Sequence, residues 1–293
     1  MRKGWKMCLL AVAVAMMGGC NQMDVQQNGR TSFEMIRDQF EAQQAYEFYG
    51  RTKLLTDNSA NGNIVNFSGR KDGDAVFMNV KLSDPEQNRA HTISLLDQGG
   101  ARIYAKQEND REWKTAGGQE AALRQELNNW DPAFAFSQMD EMRQSVTPVR
   151  DEKTGGDMEA IQVVLDSAKL KQWLAGQLKE QSGTQIQSAA VNAIQHRPSV
   201  KLALTLSTGR SVTGDRNGVS VQSTSIPDIS EVVNRMDVEA AYTIYYRKSS
   251  MLPTYMKMTI RSAYDYNDQR IQEHSQVETY LQDYGKVQPV PKP

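Results

Sequence analysis

Few residues in this chain of 293 are placed to do covalent chemistry. The three histidines, His91, His196 and His274, stand far apart among polar neighbours and read as surface or turn residues. No G-x-S-x-G, H-E-x-x-H, C-x-x-C or phosphate-loop spacing occurs. Asp265-Tyr266-Asn267-Asp268 has the acidic start of a calcium loop, but Arg270 stands where the sharp turn needs glycine, so a strand-connecting turn is expected. With no nucleophile beside a base and no ligand cluster, the expectation is a protein that is not an enzyme and holds no metal or cofactor. Sulfur remains, as Cys8 and Cys20.

The residues around Cys20 give it a use. Arg2, Lys3 and Lys6 form a positive start, Met7 to Met17 an uncharged apolar run, and Gly18-Gly19 a small-residue exit, the pattern of an export leader over residues 1–19. A run of about a dozen residues is too short to span a bilayer as a helix, which needs about 20. Met17-Gly18-Gly19-Cys20 resembles the bacterial lipobox, whose cysteine is diacylated and becomes the mature N-terminus. Cys8 leaves with the leader, so Cys20 has no disulfide partner, and acylation accounts for it. Two acyl chains anchor firmly, because each buried methylene contributes about 0.8 kcal/mol and one chain binds only marginally. Residues 20–31 are polar and read as a tether to the membrane.

Composition narrows the remainder. The leader holds 3 of the 34 basic residues and none of the 35 acidic ones, leaving 31 against 35 and a charge of −4. That field captures no polyanion, which argues against nucleic acid as a partner. A mean hydropathy of −0.62 with one long apolar run excludes a multi-span membrane protein. With 39% hydrophobic residues the chain can build a core.

The elements follow from periodicity. Thr31 and Glu34 have capping-box spacing, and Phe33, Ile36 and Phe40 then share a face, so a helix is expected from about Ser32 to Gln44. From Tyr46 the period drops to two, and turns at Asn61-Gly62, Asp72-Gly73 and Gln98-Gly99-Gly100 divide residues 46–107 into strands, followed by a short strand carrying Trp113. Asp131-Pro132 caps a helix burying Phe136, Met139 and Met142, and a further helix from Ser167 should bury Leu170, Trp173, Leu174 and Leu178. Strands are expected over Val146 to Arg150, Met158 to Leu165, Val200 to Leu206, Glu239 to Arg247, Thr254 to Tyr264 and His274 to Leu281, with a loop or loose helix from Gln181 to Pro198 and an irregular excursion over 209–236. Two runs of strands with helices between them predict an α+β fold, a strongly curved antiparallel β-sheet of about 11 strands covered by 3–4 helices. Residues 286–293, carrying Pro289, Pro291 and Pro293, form a surface tail. Eight of the eleven tyrosines fall between Tyr242 and Tyr284, as sheet packing, a cavity wall or a stacking platform for a sugar, and the nine methionines from Met35 onward read as core filling.

The strand Ala45-Tyr46-Glu47-Phe48-Tyr49-Gly50, the hairpin from Ile103-Tyr104-Ala105-Lys106 to Trp113, the segment Trp130-Asp131-Pro132 and the close Tyr280-Leu281-Gln282-Asp283-Tyr284-Gly285 resemble the LolA/LppX-like lipoproteins, Gram-positive members included. The resemblance covers most of residues 32–285. It implies a half-barrel sheet over helices, with an apolar cavity holding a lipid or lipidated molecule on the outer face of a bacterial cell membrane. Phe48, Phe67, Phe77, Ile103 and Tyr104 are the residues expected to face that cavity. The alternative is a structural or regulatory lipoprotein with a filled core and another envelope protein as its partner. The anchor has its own test: a Cys20→Ala variant should leave the membrane fraction for the soluble one, and retention with membranes would overturn the lipidation reading.

Overall fold

The computed structural model describes residues 28–55, 64–84, 89–99, 102–115, 123–124, 127–183, 233, 235–266 and 269–293. Cys20 and the leader, the Asn61-Gly62 turn, His196, the Val200 to Leu206 strand, most of the 209–236 excursion and the Asn267-Asp268 turn lie outside them.

Eleven strands form one antiparallel sheet. In chain order they are β1 (Ala45–Leu55), β2 (Ile64–Asp72), β3 (Ala75–Asp84), β4 (Arg89–Asp97), β5 (Ile103–Gln107), β6 (Lys114–Thr115), β7 (Arg143–Val149), β8 (Met158–Leu165), β9 (Asp237–Arg247), β10 (Pro253–Tyr266) and β11 (Gln269–Gln282). Their spatial order is β6-β5-β4-β3-β2-β1-β11-β10-β9-β8-β7. The first six strands are one meander and the last five another, joined where β1 pairs with β11 from Glu47↔Gln282 to Leu55↔His274. The sheet is an open, curved half-barrel. The edge strands of the described sheet are poor templates for further pairing: β6 has two residues, and β7 carries Pro148, which cannot donate to a ladder.

Among the described residues, three long helices lie on the concave face: α1 (28–41), α2 (Pro132–Met142) and α3 (Ser167–Gly183). The stripe read from the sequence buries α1, with Phe33, Ile36 and Phe40 each at 0–1% exposure. Phe40 meets Phe136 of α2 at 4.8 Å and Tyr46 of β1 at 4.9 Å between ring centroids, so one aromatic cluster binds two helices to the sheet. The capping box is a correction. Residue 28 is already helical, so Thr31 and Glu34 lie inside α1, where the Glu34 carboxylate instead pairs with Arg30 one turn back (3.1 Å) and Arg143 (3.4 Å). α1 also stops at 41, short of Gln44. The cap of α2 follows the sequence, the Asp131 carboxylate accepting from the Ala133 N–H (2.9 Å) with Pro132 in the first turn; α3 starts at Ser167 as expected, where Asp166 accepts from Ala168 and Lys169 N–H groups (2.9 and 3.0 Å).

At the centre of the concave face two phenylalanines and two glycines pair crosswise. Phe48 stands opposite Gly69 and Gly50 opposite Phe67. Each ring lies over the neighbouring strand's glycine: a Cβ on Gly69 would come 2.4 Å from Phe48 Cζ, and one on Gly50 would come 2.6 Å from Phe67 Cζ and 1.9 Å from the Glu278 carbonyl oxygen. The absent side chains let the rings lie flat, fill the deepest part of the curve and bend β1 and β2 together. Gly50→Ala therefore collides with backbone that cannot rotate away, and should lower the unfolding free energy by about 1–3 kcal/mol in urea denaturation.

Candidate functional site

Strand register places a continuous row across the concave face: Val65, Thr52, Val277, Met258, Tyr242, Val163 and Val146, each paired with the next. On one side of this row α1 and α2 cover the sheet and the packing is dense. On the other, the cover given by the described residues thins. Between the sheet, α2 and α3 lies an apolar groove of about 110 Å³, lined by Thr52, Val65, Trp130, Phe134, Ala135, Gln138, Leu170, Trp173, Leu174, Tyr242, Met258, Ile260 and Val277, with Asn128 and Asn129 at its border. A smaller recess of about 20 Å³ continues it past Pro132, Met256 and Thr279. Phe134, Trp173, Leu174, Met258, Ile260 and Val277 stay half-buried here, while Leu170 is buried.

The polar atoms in the wall are paired inside it. The Trp130 indole N–H donates to Thr52 Oγ1 (3.2 Å), and the Tyr242 hydroxyl donates to Gln138 Oε1 (2.7 Å), with all four side chains buried. Burial pushes the Tyr242 phenol well above its ordinary range, so it stays a neutral donor. Trp130 is also stacked on Phe67, centroids 5.8 Å apart at 26°. These bonds hold the wall rigid and leave the surface it presents largely apolar. At the groove's end, burial raises the Asp131 carboxyl against the lowering effect of the Ala133 N–H.

The five residues expected at a cavity divide. Phe48, Phe67 and Ile103 are on the concave face at 1%, 3% and 0% exposure, in the filled part; Phe67 backs the groove through Trp130, and none of the three lines it. Phe77 and Tyr104 are on the convex face, which is a correction. Their neighbours Met78 and Ile103 take the concave face, and a strand's period of two sends the next residue outward. Phe77 there lies under the Arg70 guanidinium (4.9 Å to the ring centroid) and against the Trp113 ring edge. Met258, Ile260 and Val277 were missed as site residues. Their signal was faint: apolar residues at alternate positions in β10 and β11, matched by Trp173 and Leu174 on a helix nearly 100 residues away. Leu174 and Trp173 face the sheet as expected, and the Leu178 side chain lies outside the described residues.

His91 is exposed on β4, whereas His274 is half-buried within β11 rather than at a turn. Among the described residues no group of three or more His, Cys, Asp or Glu is arranged to hold a metal ion, and no helix is long and apolar enough to cross a membrane. Asp265 pairs with Arg270 at 3.2 Å.

No protein-family model matches the chain, and no curated protein matches it. Among solved structures it is similar to LprF from Mycobacterium bovis (9% identity, 91% of this chain and 97% of that one, TM-score 0.41) and the lipoprotein LppX from Mycobacterium tuberculosis (8%, 89% and 97%, 0.37). It is also similar to a LolA superfamily protein from Nitrosomonas europaea (9%, 90% and 94%, 0.29). What the groove takes is read from its own walls.

The paired wall gives a direct test. Gln138→Leu strands the buried Tyr242 hydroxyl and should cost about 1–3 kcal/mol. Adding Tyr242→Phe removes the stranded group, and the double variant should recover most of that loss in a denaturation cycle.

Proposed function

We propose that this protein is an extracytoplasmic lipoprotein, anchored through diacylated Cys20 to the outer face of a bacterial, Gram-positive cell membrane, that binds an apolar chain in the groove under its sheet. The observation that carries the reading is the group Trp173, Leu174, Met258, Ile260 and Val277, left half-buried around about 110 Å³ of apolar space in a core otherwise closed. Apolar area kept accessible inside a concave face is a standing gain for any ligand that covers it. The role is binding without reaction: each methylene moved from water favours the complex by about 0.8 kcal/mol, and no charged group is required.

Size sets the terms. The groove is smaller than the roughly 150 Å³ cavity that takes up benzene and well under the roughly 300 Å³ at which ligand sites begin, so as it stands it accepts the end of an alkyl chain. A whole chain enters when α3 swings outward. Leu170 is the one fully buried side chain described on α3, so this wall has the least to lose on moving. The closed half of the interior favours the second reading, an envelope lipoprotein that binds another protein, and the experiment separates the two. Purified protein, extracted with organic solvent and examined by mass spectrometry, should yield a stoichiometric lipid. An Ala135→Phe variant, which plugs the groove from α2, should lose that lipid while keeping its far-ultraviolet circular dichroism. A lipid-free wild type would favour the protein-binding alternative.

A further inference from the structure

The convex face carries a second surface, independent of the groove. Four tyrosines occupy directly paired positions on four adjacent strands: Tyr49 on β1, Tyr280 on β11, Tyr255 on β10 and Tyr245 on β9. Their rings follow one another at centroid separations of 5.1, 4.7 and 5.2 Å, close to the strand spacing of about 4.8 Å, so the sheet itself sets the ladder. The ladder is closed at one end and open at the other. The Lys153 ammonium sits 4.2 Å from the Tyr255 ring centroid and 5.5 Å from that of Tyr245, and the Tyr245 hydroxyl donates to Asp151. These two rings are 7% and 6% exposed, against 45% for Tyr49 and 36% for Tyr280.

Tyr49 stacks on Tyr280 at 12°, which uses one of its faces, and on its other side β2 presents only Ser68. Beyond Ser68 the convex face dips into a depression of about 280 Å³, walled by Tyr49 and Phe77 and edged by Glu47, Arg70, Asn79 and Gln282. The edge is built. Ser94 Oγ donates to Asn79 Oδ1 (2.7 Å), which turns the amide so that its NH₂ remains to donate. Arg70 is fixed twice, over the Phe77 ring and to the Pro289 carbonyl at 3.1 Å, so the proline-bearing tail serves as a buttress. Its Nε is buried with no hydrogen-bond acceptor among the described residues.

We infer that this depression binds a sugar ring of a neutral oligosaccharide, stacked on the free face of Tyr49, with the rest of the saccharide running along the exposed end of the ladder. An aromatic face carries negative charge density, and the axial C–H groups of a pyranose present a weakly positive apolar face to it. The rim of a sugar alternates donors and acceptors, as Glu47, Asn79, Gln282 and Arg70 do. One carboxylate and one guanidinium balance, so a strongly charged ligand gains nothing, and an alkyl chain would leave these groups unpaired. A nucleobase, flat on both sides, would have one face uncovered because Arg70 occupies the Phe77 ring.

Calorimetric titration of the purified full chain with chitotetraose, cellotetraose and maltotetraose tests the site, with adenosine and a peptide copy of residues 286–293 as competitors of other chemistry. At least one oligosaccharide should bind. Tyr49→Ala should weaken it about tenfold, while Tyr49→Phe, which keeps the stacking face, should stay within about twofold of wild type. Retained thermal unfolding in both variants separates lost binding from lost folding. Binding of none of the three sugars, binding of adenosine or the peptide in their place, or an unchanged affinity in Tyr49→Ala would each overturn the inference.

Discussion

The structure hangs on the pairing of β1 with β11. Most neighbours in the sheet are neighbours in sequence, cheap in loop entropy, while β8 pairs with β9 across residues 166–236. The seam of longest range joins the strand that follows α1 to the strand near the chain's end, and along it Phe48 meets Leu281, Gly50 meets Thr279 and Thr52 meets Val277. Gly50 lies in that seam with its Cα against the Glu278 backbone and under the Phe67 ring. A residue slip would turn every concave side chain outward, so the crosswise Phe–Gly pairs also fix the register on which the row from Val65 to Val146 depends. The groove and the tyrosine ladder are the two sides of this one alignment.

An apolar groove persists in a folded protein only if collapse is prevented. Here the wall side chains that could fill it are tied back: Trp130 by Thr52 and Phe67, Tyr242 by Gln138. Letting Trp130 or Tyr242 swing inward would break a buried hydrogen bond, a penalty of about 1–3 kcal/mol that matches the gain from filling a space of this size. A surface network reinforces the same wall from outside, since Asp140 of α2 accepts from both Arg37 of α1 and Arg143 of β7 at 2.6 Å, keeping α1 and α2 as one unit against the sheet. α3 is joined to the end of α2 at its first turn, where Lys169 Nζ donates to the Glu141 carbonyl oxygen (2.8 Å).

Much of this was legible in the residues. Period-two runs located the described strands to within a few residues, because each has one buried and one open face, and the Asp131-Pro132 cap and the Ser167 start are local chemistry that the packed fold has no reason to override. The start of α1 was misread because capping-box spacing also arises inside a helix, where Glu34 finds Arg30 one turn back. Phe77 and Tyr104 were misplaced by weighing side-chain type above parity: Ile103 and Tyr104 are consecutive in β5, so at most one can face the core. The groove itself was illegible. Val65, Met258, Val277 and Leu174 become neighbours only through pairings spanning the whole chain, and nothing local to any of them announces a site.

The tyrosines show how one composition signal can hold several answers at once. In β9, Tyr242 and Tyr246 face the core while Tyr245, between them, faces outward; Tyr264 and Tyr284 join the core, and Tyr255 and Tyr280 the ladder. Sheet packing accounts for the inward set, whose burial alone raises the phenol of Tyr284, and cavity wall describes Tyr242. Packing accounts less well for the outward set. Cross-strand aromatic pairs are worth about 0.5–1.5 kcal/mol each, yet that gain is available to Phe as well, and an exposed hydrocarbon ring carries an aggregation risk that a phenol lessens. Burial and the Glu278 carboxylate push Tyr255 up to about 12, so its hydroxyl remains a neutral donor beside the Arg51–Glu278 ion pair at any physiological pH. A surface that keeps aromatic faces, neutral hydroxyls and balanced charge in one line across four strands is organised for contact with something polar and uncharged, on the side of the sheet opposite the described helices.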